Sequence, residues 1–229
     1  MPTLLAIVAA RNEADRIGAT LDALARAFPG VHLWVADDAS TDGTSEVAMM
    51  HGAQVVSRGR PHGKGGNVTA AAQAALSDEG AAAAQLVLVC DGDLGASAAQ
   101  LTGLVEAVEG GELDLAVAAF RRRVGGGFGI ALRFARWAIE SRCGYRAQAP
   151  ISGQRAMRAE LLPELLPFAP RYGMEIGMTV DAVRAGYEVA EIDLPLEHRA
   201  TGKTLRGFVH RGRQLSDFVA VYRDRSATG

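Results

Sequence analysis

Short apolar runs alternate with amphipathic, alanine-rich stretches through the first 120 residues, and this rhythm restricts the fold more than any other feature. The run 3–10 (TLLAIVAA) is apolar and bounded by polar residues, as a buried strand requires. The runs 31–36 (VHLWVA), 53–57 (AQVVS), 84–90 (AQLVLVC) and 114–120 (DLAVAAF) repeat the pattern. Between the first two, 13–28 places Ile17, Leu21, Leu24 and Phe28 at helical spacing, with Asn12 as the expected N-cap. Further helices are expected at 45–52, closed by Gly52, at 66–80, ending at Gly80, and at 97–110. Strands that alternate with helices predict an α/β fold, a mostly parallel sheet covered on both faces. Ligands of such sheets bind beyond the carboxyl ends of the strands.

The rhythm changes after residue 120. Residues 121–129 (RRRVGGGFG) are too glycine-rich to pack and read as a loop, with 124–129 the candidate lid over a bound ligand. A helix is expected at 130–142, and three prolines make 163–173 (PELLPFAPRYG) a rigid connection. A helix at 175–186, a strand at 187–196 and a basic helix at 206–224 complete a single domain, 1–229. A formal charge of −2 gives no global basic field, which argues against nucleic-acid binding. With 48% hydrophobic and 22% charged residues, the composition is that of a globular rather than a disordered chain. The two cysteines, Cys90 and Cys143, lack metal spacing and suit a reducing cytoplasm. No apolar run approaches the roughly 20 residues of a membrane helix, so at most peripheral membrane contact is expected.

Polar signals cluster where the strands end. Asp91-Gly92-Asp93 follows the run 84–90, and Ser97 with Gln100 has the pattern of a capping box just beyond. A strand, an acidic turn and a helix are therefore expected, rather than a hairpin. Two carboxylates about 4 Å apart repel by roughly 4 kcal/mol at an effective dielectric near 20, a penalty that Mg²⁺ or Mn²⁺ would remove. Gly92 would let a phosphate or ribose approach the backbone. The bland alternative is turn chemistry alone. In 36–44 (ADDASTDGT), Asp37 and Asp38 can accept from a ribose or a base, and Asp38 is assigned to the ligand. Residues 40–43 also read as the cap of the next helix. Ala10, Arg11, Asn12 and Glu13 lie at the mouth of the first strand, without the glycine fingerprint of a dinucleotide fold. Lys64 stands among glycines before a helix, a setting that suits a pyrophosphate, although the P-loop pattern is absent.

ARNE, DDASTDGT, GKGGN and DGD, in this order and spacing, resemble the nucleotide-sugar half of GT-A-fold glycosyltransferases of family 2 type. The resemblance covers residues 3–120 and implies a Rossmann-like GT-A fold, with a nucleotide-sugar-binding half (1–120) and an acceptor-binding half (121–229). It implies that Ala10 to Glu13 and Asp38 hold the nucleoside of a UDP- or GDP-sugar, UDP favoured, with Lys64 beside it. It also implies that Asp91 and Asp93 hold Mg²⁺ or Mn²⁺ against the diphosphate, Asp93 more directly. Segments 149–162 and 171–204 resemble polyprenyl-phosphate sugar transferases and glucosyl-3-phosphoglycerate synthases. From these branches, Ser152 and Gly153 would line an acceptor site, Glu175 would be the base for the acceptor hydroxyl, and His198 a third metal ligand. Arg155 and Lys203 are the candidates for a phosphorylated or lipid-linked acceptor, and a homodimer is left open. The expected function is metal-dependent hexosyl transfer. A retaining synthase or a non-catalytic binding module are the alternatives.

Overall fold

The computed structural model describes residues 2–120, 129–194 and 217–225. Seven strands form one sheet in the order β3-β2-β1-β4-β6-β5-β7. They are β1 (Leu4–Ala10), β2 (His32–Asp37), β3 (Gln54–Ser57), β4 (Leu86–Asp91), β5 (Leu115–Phe120), β6 (Arg155–Arg158) and β7 (Val189–Leu194). β1 pairs in parallel with β2 and β4, β2 with β3, and β5 with β7. β6 alone runs against its neighbours, inserted between β4 and β5. The chain moves outward from β1 through β2 to β3, then returns to place β4 on the other side of β1. This reversal of strand order opens the crevice in which α/β sheets bind ligands.

Alternation of side chains sends Leu4, Ala6, Val8, Leu86 and Leu88 to one face, against Ile17, Leu21 and Leu24 of α1 (Ile17–Ala27) and Leu104 and Val108 of α5 (Thr102–Glu109). Leu5, Ile7, Val87 and Val89 point to the other face. There they meet Val68, Ala71 and Ala75 of α3 (Lys64–Leu76), Leu161 and Leu165 of α7 (Leu161–Leu165) and Met178 of α8 (Met174–Arg184). A third cluster joins α6 (Gly129–Cys143) to α8 and a last helix (217–224), through Ala135, Ile139, Ile176, Val180, Phe218 and Val221. Small alanines on α3 let it lie close to the sheet, so the alanine-rich composition is the packing device of that layer.

Several local expectations change. Asn12 does not cap α1, which begins four residues after Glu13; instead Asn12 adopts a left-handed backbone and its Oδ1 accepts from the Thr41 amide at 2.9 Å. Ser97 and Gln100 form no capping box. The Ser97 hydroxyl donates to the Leu94 carbonyl at 2.7 Å, and the chain enters a 3-10 turn (Gly95–Leu101) before α5. Strand, acidic turn and helix nevertheless follow one another. Gly80 does not end α3. The helix stops at Leu76, and Asp78 caps a short α4 (Glu79–Ala82) by accepting from the Ala81 amide at 2.9 Å. Most of the proposed lid (124–128), most of the basic C-terminal helix, and Arg121 to Arg123 lie outside the described residues.

Candidate active site

The loops after β1, β2 and β4 meet α3 and α8 at one edge of the sheet. The first two are joined directly: the Asn12 amide donates to Ser40 Oγ at 2.9 Å, the Glu13 amide to Thr44 Oγ1 at 2.9 Å, and the Ala14 amide to Asp42 Oδ2 at 3.2 Å. Asp42, rather than Ser40, tethers the start of α2 (Thr44–Met50), through the Thr44 amide at 3.1 Å. Asp37 is an internal knot, accepting from the hydroxyls of Ser40, Ser45 and Ser57. Its acceptors are thus spent within the fold.

Asp38, assigned to a ligand from sequence, is also largely buried and fastens the next loop. Its carboxylate accepts from the His62 amide at 2.7 Å, the Gly63 amide at 3.2 Å and Asn67 Nδ2, with exposed Arg11 Nη1 at 3.7 Å. These bonds set the entry into α3, and Lys64 at its first position reaches inward. Lys64 Nζ lies 2.6 Å from Asp91 Oδ1 and 3.0 Å from Glu175 Oε1. Burial opposes the Lys64 charge, but Asp91 and Glu175 more than offset it, so its pKa is raised and the ammonium persists. Glu175 is the second residue of α8 and is buried, so it is more than a first-turn carboxylate facing solvent.

Glycines explain how these segments come so close. A Cβ on Gly65 would stand 1.9 Å from the Ala169 carbonyl oxygen, so only glycine lets the Lys64 loop seat against the turn leading to α8. A Cβ on Gly153 would meet Lys64 Nζ at 2.2 Å and Asp91 Oδ2 at 2.8 Å. At Gly92 a Cβ would stand 2.9 Å from Ile17 Cδ1 and 3.3 Å from Ala10 Cβ, so packing against β1 and α1 already requires the glycine.

The structure thus brings Lys64, Asp91, Gly153 and Glu175 together, with Ala10 to Glu13 and Asp38 along the neighbouring rim. Ser152 is buried behind Gly153. Arg155 is corrected outright. It is fully buried, its Nε donating to the Ser152 carbonyl at 3.0 Å and its Nη1 to Thr179 Oγ1 at 3.0 Å, so it presents no surface to an acceptor. Gln154 is a site residue missed from sequence, its Nε2 donating to Asp91 Oδ2 at 2.7 Å. The available signal was an amide directly after Ser152-Gly153. His198 and Lys203 lie outside the described residues.

Among the described residues no three His, Cys, Asp or Glu side chains form a metal cluster. Asp91 and half-buried Asp93 nevertheless offer carboxylate oxygens at the mouth of β4, a donor set that fits Mg²⁺ or Mn²⁺ rather than a softer metal. The pattern of glycosyl transferase family 2 matches residues 5–165. This chain belongs to glycosyl transferase family 2. Among its family relatives, the glucosyl-3-phosphoglycerate synthase of Mycolicibacterium paratuberculosis is 30% identical over 254 residues, spanning 99% of this chain and 71% of that protein. An uncharacterized glycosyltransferase of Mycobacterium bovis is 32% identical over 196 residues, 84% of each chain. The crystal structure of Mycobacterium tuberculosis glucosyl-3-phosphoglycerate synthase with phosphoglyceric acid superposes on the whole of this chain and 81% of its own, with a TM-score of 0.76 at 28% identity. The same enzyme with Mn²⁺, UDP-glucose and phosphoglyceric acid gives a TM-score of 0.75 at 28% identity, over 98% of this chain and 79% of its own. The family's GT-A fold is the one seen here, and the protein is a glycosyltransferase.

Proposed function

We propose that this glycosyltransferase moves glucose from UDP-glucose to a small phosphorylated hydroxy acid of the phosphoglycerate class, in the presence of Mn²⁺ or Mg²⁺. The observation that carries the reading is the superposition, over nearly the whole chain, on a synthase that holds Mn²⁺, UDP-glucose and phosphoglyceric acid. The site supports it from this chain's own residues. The rim formed by Ala10, Arg11, Asn12 and Glu13, stiffened by its bonds to the 40–44 loop, would receive the uridine. Lys64 keeps a permanent positive charge beside Asp91, where negative charge grows as a diphosphate departs. Asp91 and Asp93 would hold the cation, which supplies charge neutralisation of the leaving nucleoside diphosphate. Glu175, held by Lys64, would accept a hydrogen bond from the attacking hydroxyl and orient it. Gly153 leaves the floor under Lys64 and Asp91 free of side chain.

The test is to incubate the purified protein with UDP-glucose, Mn²⁺ and 3-phosphoglycerate, and to follow UDP release with mass detection of a glucosylated acid. Proton NMR of the anomeric signal then assigns inversion or retention. Product formation that stops with EDTA is the expected result. UDP-glucose binding with neither hydrolysis nor transfer would overturn it.

A further inference from the structure

Arg155 is a cation sealed inside the protein. Its side chain is fully buried, and among the described residues its Nη2 has no hydrogen-bond partner and it makes no ion pair within 4 Å. Burying such a group without a paired anion is costly. Burial lowers its pKa to about 10, against the opposing pull of the Glu175 and Glu191 carboxylates, so it remains charged at neutral pH. A core arginine maintained only for stability would be expected to pair fully, and this one does not.

Its two made bonds join the two halves of the site. Nε donates to the carbonyl of Ser152, in the turn that carries Gly153 and Gln154. Nη1 donates to Thr179 Oγ1, and that hydroxyl donates on to the Glu175 carbonyl at 3.1 Å. From the turn, Gln154 reaches Asp91 at 2.7 Å; from Glu175, the carboxylate reaches Lys64 at 3.0 Å, and Lys64 returns to Asp91 at 2.6 Å. Ser152 Oγ and Gln154 Oε1 stand 3.4 Å apart within the turn. Asp91, Gln154, Ser152, Arg155, Thr179, Glu175 and Lys64 therefore form one closed circuit, spanning β4, β6, α8 and α3. Lys64 is its front arm, facing the ligand edge. Arg155 is its rear arm, facing the core.

We propose that Arg155 is a positioning residue: through Thr179 and Ser152 it fixes the first turn of α8, and so Glu175, at its distance from Gly153 and Asp91. The assay by transfer rests on the proposed glucosyl reaction; the exchange measurement below does not. Arg155 is sealed from the ligand edge, so its loss acts through Glu175, on its position and on the positive charge behind it. A displacement of about 1 Å at a reacting group can cost on the order of a hundredfold in rate.

Two variants test the assignment. Arg155→Met keeps the length and apolar stem while removing the buried charge, and it leaves the Ser152 carbonyl and the Thr179 hydroxyl without their donor. Thr179→Val cuts the same arm with almost no change of volume, and Thr179→Ser restores it. For Arg155→Met and Thr179→Val, kcat for transfer should fall by about ten- to a hundredfold, with KM for UDP-glucose held within about twofold. Tm should fall for Arg155→Met, which strands a buried acceptor, and should stay near wild type for Thr179→Ser. In the free protein, hydrogen exchange at the Met178 and Thr179 amides, which close the first turn of α8, should accelerate by about tenfold or more. Thr179→Ser should keep both kcat and exchange near wild type. Wild-type kcat in Arg155→Met or Thr179→Val would overturn the proposal, as would unchanged exchange at these amides. If Arg155→Met does not fold, Thr179→Val decides. If the wild-type protein makes no product, the proposed reaction fails, and the exchange data alone judge the positioning role.

Discussion

Replacing Lys64 by methionine removes the ammonium that lies between Asp91 and Glu175. Contacts of 2.6 and 3.0 Å to the same nitrogen put the two carboxylate oxygens at most about 5.6 Å apart, the sum of the two distances. At an effective dielectric near 20, two unit charges at that distance repel by about 3 kcal/mol, and breaking a buried ion pair from one side costs roughly 3–5 kcal/mol in general. Asp91 is 30% exposed at its side chain, so solvent screens part of this and the lower figure of about 3 kcal/mol is the expected loss. For a domain of this size, that corresponds to a Tm lowered by roughly 6–12 °C. The wild-type contribution follows the Lys64 titration. Because its pKa in the folded state is raised, the stabilisation is fully present below the unfolded value near 10.5 and is lost only as pH climbs through the raised folded value. The assay is calorimetric or fluorescence melting of both proteins from pH 7 to 9, without divalent cation. The Tm gap should stay constant across that window. Adding Mn²⁺ should narrow it, since a cation held by Asp91 and Asp93 takes over neutralisation. A Lys64→Met protein that melts with the wild type would refute the claim that the ammonium reconciles the two carboxylates.

Other expectations follow from the same geometry. Asp93→Ala should leave Tm within about 2 °C of wild type while abolishing Mn²⁺-dependent transfer, measured as UDP release; retained activity would remove Asp93 from the metal site. Gly65→Ala forces the Lys64 loop away from the Ala169 carbonyl, and the overpacking should cost about 1–3 kcal/mol in a urea melt together with weakened UDP affinity by titration. Gly153→Ala pushes against Lys64 Nζ and the Asp91 carboxylate, so it should lower kcat more than tenfold while changing secondary structure by circular dichroism very little.

Much of this architecture can be read along the chain. Apolar runs bounded by polar residues locate β1, β2, β4 and β5 because a strand covered on both faces has to be apolar on both sides. The order of ARNE, DDASTDGT, GKGGN and DGD places each polar cluster after a strand, and parallel strands bring such loops to one edge. What fails is local detail that depends on distant partners. Asn12 looks like a cap because asparagine often caps helices; in the fold its side chain is claimed by the Thr41 amide, 29 residues away. At Gly92 the fold adds a demand the sequence does not show, because a side chain there would meet Ile17 and Ala10.

The sequence by itself determined the layered α/β fold and offered Asp91, Asp93 and Lys64 as candidate groups at the strand ends, with Glu175 added by the family resemblance. Periodicity and residue type are local properties, and they survive whatever the rest of the chain does. Only the tertiary structure decided which of these groups gather at one edge of the sheet and which brace the wall behind. Arg155 shows the difference: as a residue type it suits a phosphorylated acceptor, but insertion of β6 between β4 and β5 carries it into the interior, where it ties Ser152 to Thr179. A strand's register sets which face each side chain takes, and register is fixed by pairing with residues far away in sequence.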